Sequence, residues 1–232
     1  MRVILLYMLK CRKRKVGLIM KRILFQGDSI TDCGWGRDNP SYIGHGYALL
    51  LKAQLGYDHP GEFDFQNRAI SGNRVVDVYA RIKADIINLR PDYMSILIGV
   101  NDVWHEIDWQ NGVSADKFEK IYSMLIEEIK AELPNIKIMI MEPFCLKGSA
   151  TDNTEAIPDK WEMFSSEVKR RAQKAKAIAE KYNLPFIPLQ QKLDEMSADT
   201  GTAYWLVDGV HPSAMGHELI AREWLKAFSQ LG

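Results

Sequence analysis

Ser29 follows Gly27 and Asp28 at the end of a short apolar run, residues 23–26, and a hydroxyl presented there can attack a carbonyl once a base takes its proton. Asp208 and His211 stand three residues apart in Asp-Gly-Val-His-Pro, near the other end of the chain. Serine hydrolysis needs that pair, an imidazole as base and a carboxylate to hold the base in the right tautomer. Between the two ends lie two donors suited to a developing oxyanion: the backbone N–H of Gly72 in Ile-Ser-Gly-Asn, and the side-chain amide of Asn101 in Gly-Val-Asn-Asp. Singly, each has an ordinary reading as a helix cap or a turn residue. Their order along the chain, each placed after an expected strand or just before the last helix, makes independent coincidence a poor account of all four.

The elements that must position these residues alternate between short apolar runs and longer amphipathic stretches, the pattern of β-α units around a parallel sheet. Strands are expected at residues 23–26, 63–67, 93–98, 136–141 and 185–188. Phe118, Ile121, Tyr122, Leu125, Ile126 and Ile129 share one helical face, as do Phe164, Val168, Ala172, Ala175, Ala179 and Tyr182. A last helix follows Pro212, a residue that suits a first helical turn, and repeats apolar residues at Ile220, Trp224, Ala227 and Phe228. Two long irregular stretches, 31–46 and 143–159, follow strand ends, where ligands bind in open α/β sheets.

A chain of 232 residues, 47% hydrophobic and 26% charged, fits one globular α/β domain and excludes disorder, collagen and coiled coil. The formal net charge of zero hides an asymmetry: residues 1–19 hold six basic side chains and no acid, whereas from Met20 onward 24 basic residues face 30 acidic ones. An acidic domain is a poor nucleic-acid binder. No apolar run approaches the ~20 residues of a membrane span, so no stable membrane insertion is expected. Cys11, Cys33 and Cys145 are odd in number and widely spaced, which suits a reducing cytoplasm and no zinc or disulfide framework. Residues 1–19 are expected to be a non-structural extension, with translation starting at Met20 and residues 20–232 forming a single domain. Deleting residues 2–19 should then leave folding and activity intact.

Gly27-Asp28-Ser29, Gly72, Asn101 and Asp208-x-x-His211 resemble the four blocks of the SGNH (GDSL-type) hydrolases, over Met20 to nearly the end. Phe-Gln-Gly-Asp-Ser-Ile-Thr-Asp-Cys-Gly, Ile-Gly-Val-Asn-Asp-Val-Trp and Val-His-Pro-Ser-Ala-Met-Gly-His are similar to the branch of bacterial intracellular acetylxylan esterases and carbohydrate deacetylases. Gly34-Trp35-Gly36 departs from it, standing where the branch has a glycine followed by arginine, and the basic extension is foreign to the family.

The resemblance implies a three-layer α/β/α, flavodoxin-like fold with about five parallel strands, no metal, no organic cofactor and a homo-oligomer. It implies Ser29 as nucleophile, His211 as base, Asp208 as its partner, and an oxyanion hole from the N–H groups of Ser29 and Gly72 and the amide of Asn101. The reaction implied is removal of acetyl groups from acetylated xylo-oligosaccharides through an acetyl-enzyme. The same triad would also serve a lysophospholipase or a short-chain acyl thioesterase. Trp35, Trp104, Trp109 and Trp205 stand near the motifs and could stack on sugar rings, Trp104 foremost because it follows Asn101 by three residues, with core or subunit contact as the alternative. His217 is read as a packing or surface residue, and His45, His59 and His105 lack ligand spacing.

Overall fold

A computed structural model describes residues 20–231. Residues 1–19, expected to be a non-structural extension, lie outside the described residues. In chain order the elements are β1 (Lys21–Gly27), α1 (Ser29–Asp32), α2 (Tyr47–Asp58), β2 (Phe63–Asn67), α3 (Val75–Ala80), α4 (Ile82–Asp85), a 3-10 turn (Ile87–Leu89), β3 (Tyr93–Leu97), α5 (Val100–Trp109) and α6 (Ala115–Glu132). Then follow β4 (Lys137–Met141), α7 (Lys160–Lys181), β5 (Phe186–Ile187), α8 (Gln190–Thr200), α9 (Thr202–Trp205) and α10 (Ala214–Phe228).

All five strands are parallel, in the order β2-β1-β3-β4-β5. Because side chains alternate across a strand, Ile23 and Phe25 of β1 enter one core with Tyr47, Leu51 and Trp224, while Leu24 enters the other with Phe118, Tyr122 and Ile178. Both faces are therefore covered, α2 and α10 on one side, α3, α6 and α7 on the other, which is why the strands read as continuous apolar runs. The result is the three-layer α/β/α arrangement in flavodoxin-like strand order. From β1 the chain runs outward to β2, and from β3, on the other side of β1, it runs the opposite way to β4. That reversal opens a crevice at the carboxyl ends of β1 and β3.

Strand ends move by one or two residues at β1, β3 and β4, and the halving of β5 has an identifiable cause. β5 shrinks to two residues, Phe186–Ile187, because the prolines that flank it offer no N–H to the ladder, although Pro185 still accepts from Ile140. The last helix starts at Ala214, after Pro212 as expected. Ser213 is its cap, its Oγ accepting the Gly216 N–H at 3.2 Å, while Pro212 bridges Leu206 and closes the loop before it.

Candidate active site

The Ser29 side is built by a close approach of two strands. A Cβ on Gly27 would lie 2.3 Å from the Leu97 carbonyl oxygen, so only glycine lets the end of β1 press against β3. The chain then turns into α1, where Asp28 is the cap: its Oδ1 accepts the Ile30 N–H at 3.0 Å. Ser29 is the first helical residue, so its own N–H has no partner within the helix. Asp28 is 1% exposed, and its Oδ2 has no hydrogen-bond partner. Burial pushes its carboxyl up to about 7.

The His211 side is a tight loop between α9 and α10. The Val207 N–H donates to His211 O at 2.9 Å, and Leu206 bridges Pro212, so the residues between them are folded back on themselves. Asp208 Oδ1 accepts the backbone N–H of Val210 at 2.9 Å and of His211 at 2.8 Å. Its Oδ2 lies 2.7 Å from His211 Nδ1. The 143–159 stretch braces this loop from behind, Ala150 N–H donating to Asp208 O and Leu146 N–H to Gly209 O.

His211 Nε2 lies 2.9 Å from Ser29 Oγ. The structure thus brings Ser29, His211 and Asp208 into one hydrogen-bonded line, although 182 residues separate the first two. With Nδ1–H donating to Asp208, Nε2 is left as the acceptor for the serine hydroxyl. Burial of Asp208 works to raise its pKa, but the His211 ring and two backbone N–H groups outweigh it and hold the carboxyl at about 2. The Asp208 hydrogen bond raises the His211 pKa against an opposing effect of burial, and the Asp208 charge adds to the rise.

Gly72 and Asn101 meet on the third side. Gly72 sits in a turn at φ +81°, a conformation that favours glycine, with open space where a side chain would be. The turn is tied to the Ser29 side by Ile70 N–H on Gly27 O at 3.2 Å and Ser71 N–H on Asp32 Oδ2 at 2.8 Å. Asn101, in the first turn of α5, donates one amide hydrogen to Asn73 O at 3.2 Å. Its second amide hydrogen is unspent. Asp102 accepts the Val75 N–H with both oxygens, at 3.1 and 3.2 Å, and so locks α5 to the start of α3. Burial pushes its carboxyl to about 7 as well.

Asp32, an acid near the crevice that sequence reasoning did not single out, has a carboxylate that joins three segments. Oδ1 accepts the Gly34 N–H; Oδ2 accepts the Ser71 N–H and hydroxyl and the Arg37 Nη2 at 2.6 Å. The available signal was its position three residues beyond Ser29, on the turn that must face Ser71. Trp104 stands beside the line of triad residues, ring centroids 6.0 Å from His211, with its Nε1 donating to Asp108. Trp35 is 8% exposed, bonded through Nε1 to Ala69 O, so little of its ring is open to a ligand. Trp109 is exposed on α5 and Trp205 is buried, its Nε1 shared between Met196 O and Thr200 Oγ1. His217 is a packing residue: Nδ1 accepts the Tyr47 N–H, Nε2 faces Cys33 Sγ at 3.4 Å, and burial lowers its pKa to about 4.

A hydroxyl, an imidazole that can accept its proton, a carboxylate on the imidazole and oriented N–H donors opposite define the chemistry of a serine hydrolase. The sequence model of the GDSL-like lipase/acylhydrolase family matches residues 25–219, and the chain belongs to that family. It is a carboxylic ester hydrolase. An acetylxylan esterase from Geobacillus stearothermophilus is 34% identical over 217 residues, covering 89% of this chain and 93% of the esterase. A crystal structure of an acetylxylan esterase from the same organism superposes with a TM-score of 0.77 at 32% identity, covering 91% of this chain and 96% of that one. Catalytic mutants of that esterase, in which a serine, an aspartate or a histidine is replaced by alanine, share the fold. A GDSL-like lipase from Parabacteroides merdae superposes with a TM-score of 0.81 at 34% identity, covering 91% and 98% of the two chains. Among the described residues no helix is long and apolar enough to cross a membrane.

Proposed function

We propose that the protein removes acetyl groups from carbohydrate, specifically from acetylated xylo-oligosaccharides, by way of an acetyl-enzyme. The observation that carries the reaction is the continuous line Ser29 Oγ, His211 Nε2, His211 Nδ1, Asp208 Oδ2. What supports the sugar ester is the similarity to acetylxylan esterase along nearly the whole chain.

In this reading Ser29 Oγ attacks the acetyl carbonyl as His211 Nε2 takes the hydroxyl proton. Asp208 keeps the Nδ1–H tautomer and stabilises the imidazolium. The carbonyl oxygen, now an oxyanion, accepts from the N–H of Ser29, the N–H of Gly72 and the free amide hydrogen of Asn101, each donor contributing about 3 kcal/mol. The C–O bond to the sugar breaks, and His211 returns the proton to the leaving hydroxyl. Water repeats the cycle, His211 accepting its proton and handing it to Ser29 as acetate leaves. Trp104, beside His211, offers the leaving sugar an apolar face. The reading also has the enzyme working in the cytoplasm as a homo-oligomer on imported oligosaccharides, its mass in solution being the direct check.

The test is acetate release from acetylated xylo-oligosaccharides, run beside p-nitrophenyl esters of increasing acyl length with Ser29→Ala as control. Serine-dependent release from the sugar, falling steeply beyond acetyl on the p-nitrophenyl series, is the expected result. Serine-dependent hydrolysis of long esters with none from the sugar would transfer the triad to a lipid or thioester substrate.

A further inference from the structure

The rim of the crevice beside Gly72 carries a positive charge that the proposed chemistry leaves unused. Trp35 is flanked by two guanidinium groups, Arg37 with its Cζ 4.1 Å from the ring centroid and Arg68 with its Cζ 5.2 Å away. The indole itself is fixed by its bond to Ala69 O. Arg37 spends one donor on Trp35 O at 3.1 Å and one on Asp32 Oδ2 at 2.6 Å, and its side chain stays 45% exposed. The Asp32 oxygen it touches also accepts the N–H of Ser71, the residue before Gly72. Arg37 therefore stands one shared oxygen away from the turn that would hold the oxyanion.

Arg68 differs from Arg37 in having nothing to pair with. Its Nε is buried without a hydrogen-bond partner, and among the described residues no carboxylate forms an ion pair with it. Asp38, next to Arg37 in sequence, makes no ion pair among the described residues either. Asp32 is ionised: burial works to raise its pKa, but Arg37 and the two Ser71 donors hold it below the usual carboxylate range. Arg37 is thus paired with a carboxylate that also holds Ser71, while Arg68 has no ion-pair partner among the described residues. The Arg68 guanidinium is therefore available to an external anion.

We propose that Arg37 and Arg68 form a subsite for a carboxylate on the substrate, so that the enzyme favours acetylated oligosaccharides bearing an acidic sugar, a uronic acid, over neutral ones. A guanidinium fork matches a carboxylate by two parallel N–H···O bonds, and both arginines keep donors free for it. Contact with the same indole, itself fixed by Ala69 O, limits the freedom of both groups and cuts the ordering cost of binding. The inference rests on the acetyl-oligosaccharide reading and narrows it.

The experiment compares kcat/KM on two acetylated xylo-oligosaccharides matched in length and acetyl content, one carrying a glucuronic acid branch, for the wild type and for Arg68→Gln. The wild type should favour the acidic substrate about tenfold at low salt, the worth of one hydrogen-bonded charge pair, and the ratio should shrink at high salt. Arg68→Gln should remove most of that ratio, lowering kcat/KM on the acidic substrate more than on the neutral one. Arg68→Lys, which keeps the charge but loses the fork, should retain part of it. Equal rates for the wild type at low salt, or a ratio that survives in Arg68→Gln, would overturn the subsite while leaving the esterase reading intact. Hydrolysis of p-nitrophenyl acetate with no acetate from either sugar would remove the substrate reading and the subsite with it.

Discussion

Asp28 and Asp208 are both carboxylates at the edge of the same crevice, and the chain moves their pKa values in opposite directions. Asp208 is partly open to solvent and accepts from two backbone N–H groups and the His211 ring, so its pKa falls to about 2. Asp28, adjacent to Ser29 in sequence, is 1% exposed, accepts a single N–H and leaves Oδ2 without a partner, so its pKa rises to about 7. Burial set against hydrogen-bond donors, not nearness to the nucleophile, decides which way each acid's pKa moves. That difference sorts a capping carboxyl from one able to stabilise an imidazolium, and each prediction below bears on it.

The largest effect belongs to Asp208→Asn, which keeps the loop's shape but offers His211 an amide in place of a charge. We expect kcat to fall about 10⁴-fold, as loss of the right tautomer costs in other serine triads. Asp28→Asn keeps the cap, because the amide oxygen still accepts the Ile30 N–H, and should cost a small fraction of that. Steady-state kinetics on p-nitrophenyl acetate reads both; equal losses would break the contrast. Asn101→Ala should come next, lowering kcat by about 10²-fold with little change in KM, because its free hydrogen meets charge only in the transition state. A raised KM with unchanged kcat would make Asn101 a substrate-binding residue instead.

The pH profile sharpens the comparison through His211. Its pKa is raised, so the imidazolium persists to higher pH, and an imidazolium cannot take the serine proton. The acid limb of kcat/KM should therefore have its midpoint above the ordinary value of about 6.5, activity being lost as pH falls through it. Asp208→Asn removes the main cause of the rise, so its residual activity should titrate at lower pH. An unmoved limb in that variant would assign the ionisation to another group. Asp32→Asn should lower kcat about tenfold, because Asn keeps only part of the bonding that sets Ser71 and Gly72. Thermal melting of this variant separates a displaced turn from a general loss of stability.

Much of the fold was legible because buried parallel strands leave apolar runs and β-α spacing in the sequence. The motif residues were legible because Gly27-Asp28-Ser29, Gly72, Asn101 and Asp208-x-x-His211 each follow a recognisable element. The joins between segments distant in sequence were not. Nothing in Trp35 distinguishes an open sugar platform from a ring clamped between Arg37 and Arg68, since that depends on the path of residues 68–72 along the end of β1. The bond from Asp32 to Ser71 spans 39 residues and has no periodicity to announce it. Pro212 marked the approach of the last helix, but its bridge to Leu206 and the Ser213 hydroxyl as cap were not legible, since proline suits both a first turn and a closing bridge.

The smallest effect concerns stability and not rate. Asp28 has a folded pKa of about 7 against an ordinary 3.8, so the folded state holds its proton over a pH range in which the unfolded chain has released it. By linkage its contribution is fully present below about pH 4 and is lost as pH rises through about 7. Asn cannot ionise and removes this dependence, so the slope of Tm against pH between 4 and 7 should be less negative, or more positive, in Asp28→Asn than in the wild type. Part of the slope should remain, because Asp102 is buried with a similarly raised pKa and feels the charge on Asp28. Parallel curves for the two proteins would mean that Asp28 is ionised in the folded state across this range, with its Oδ2 finding a donor, and the opposition between the two carboxylates would fail on the Asp28 side.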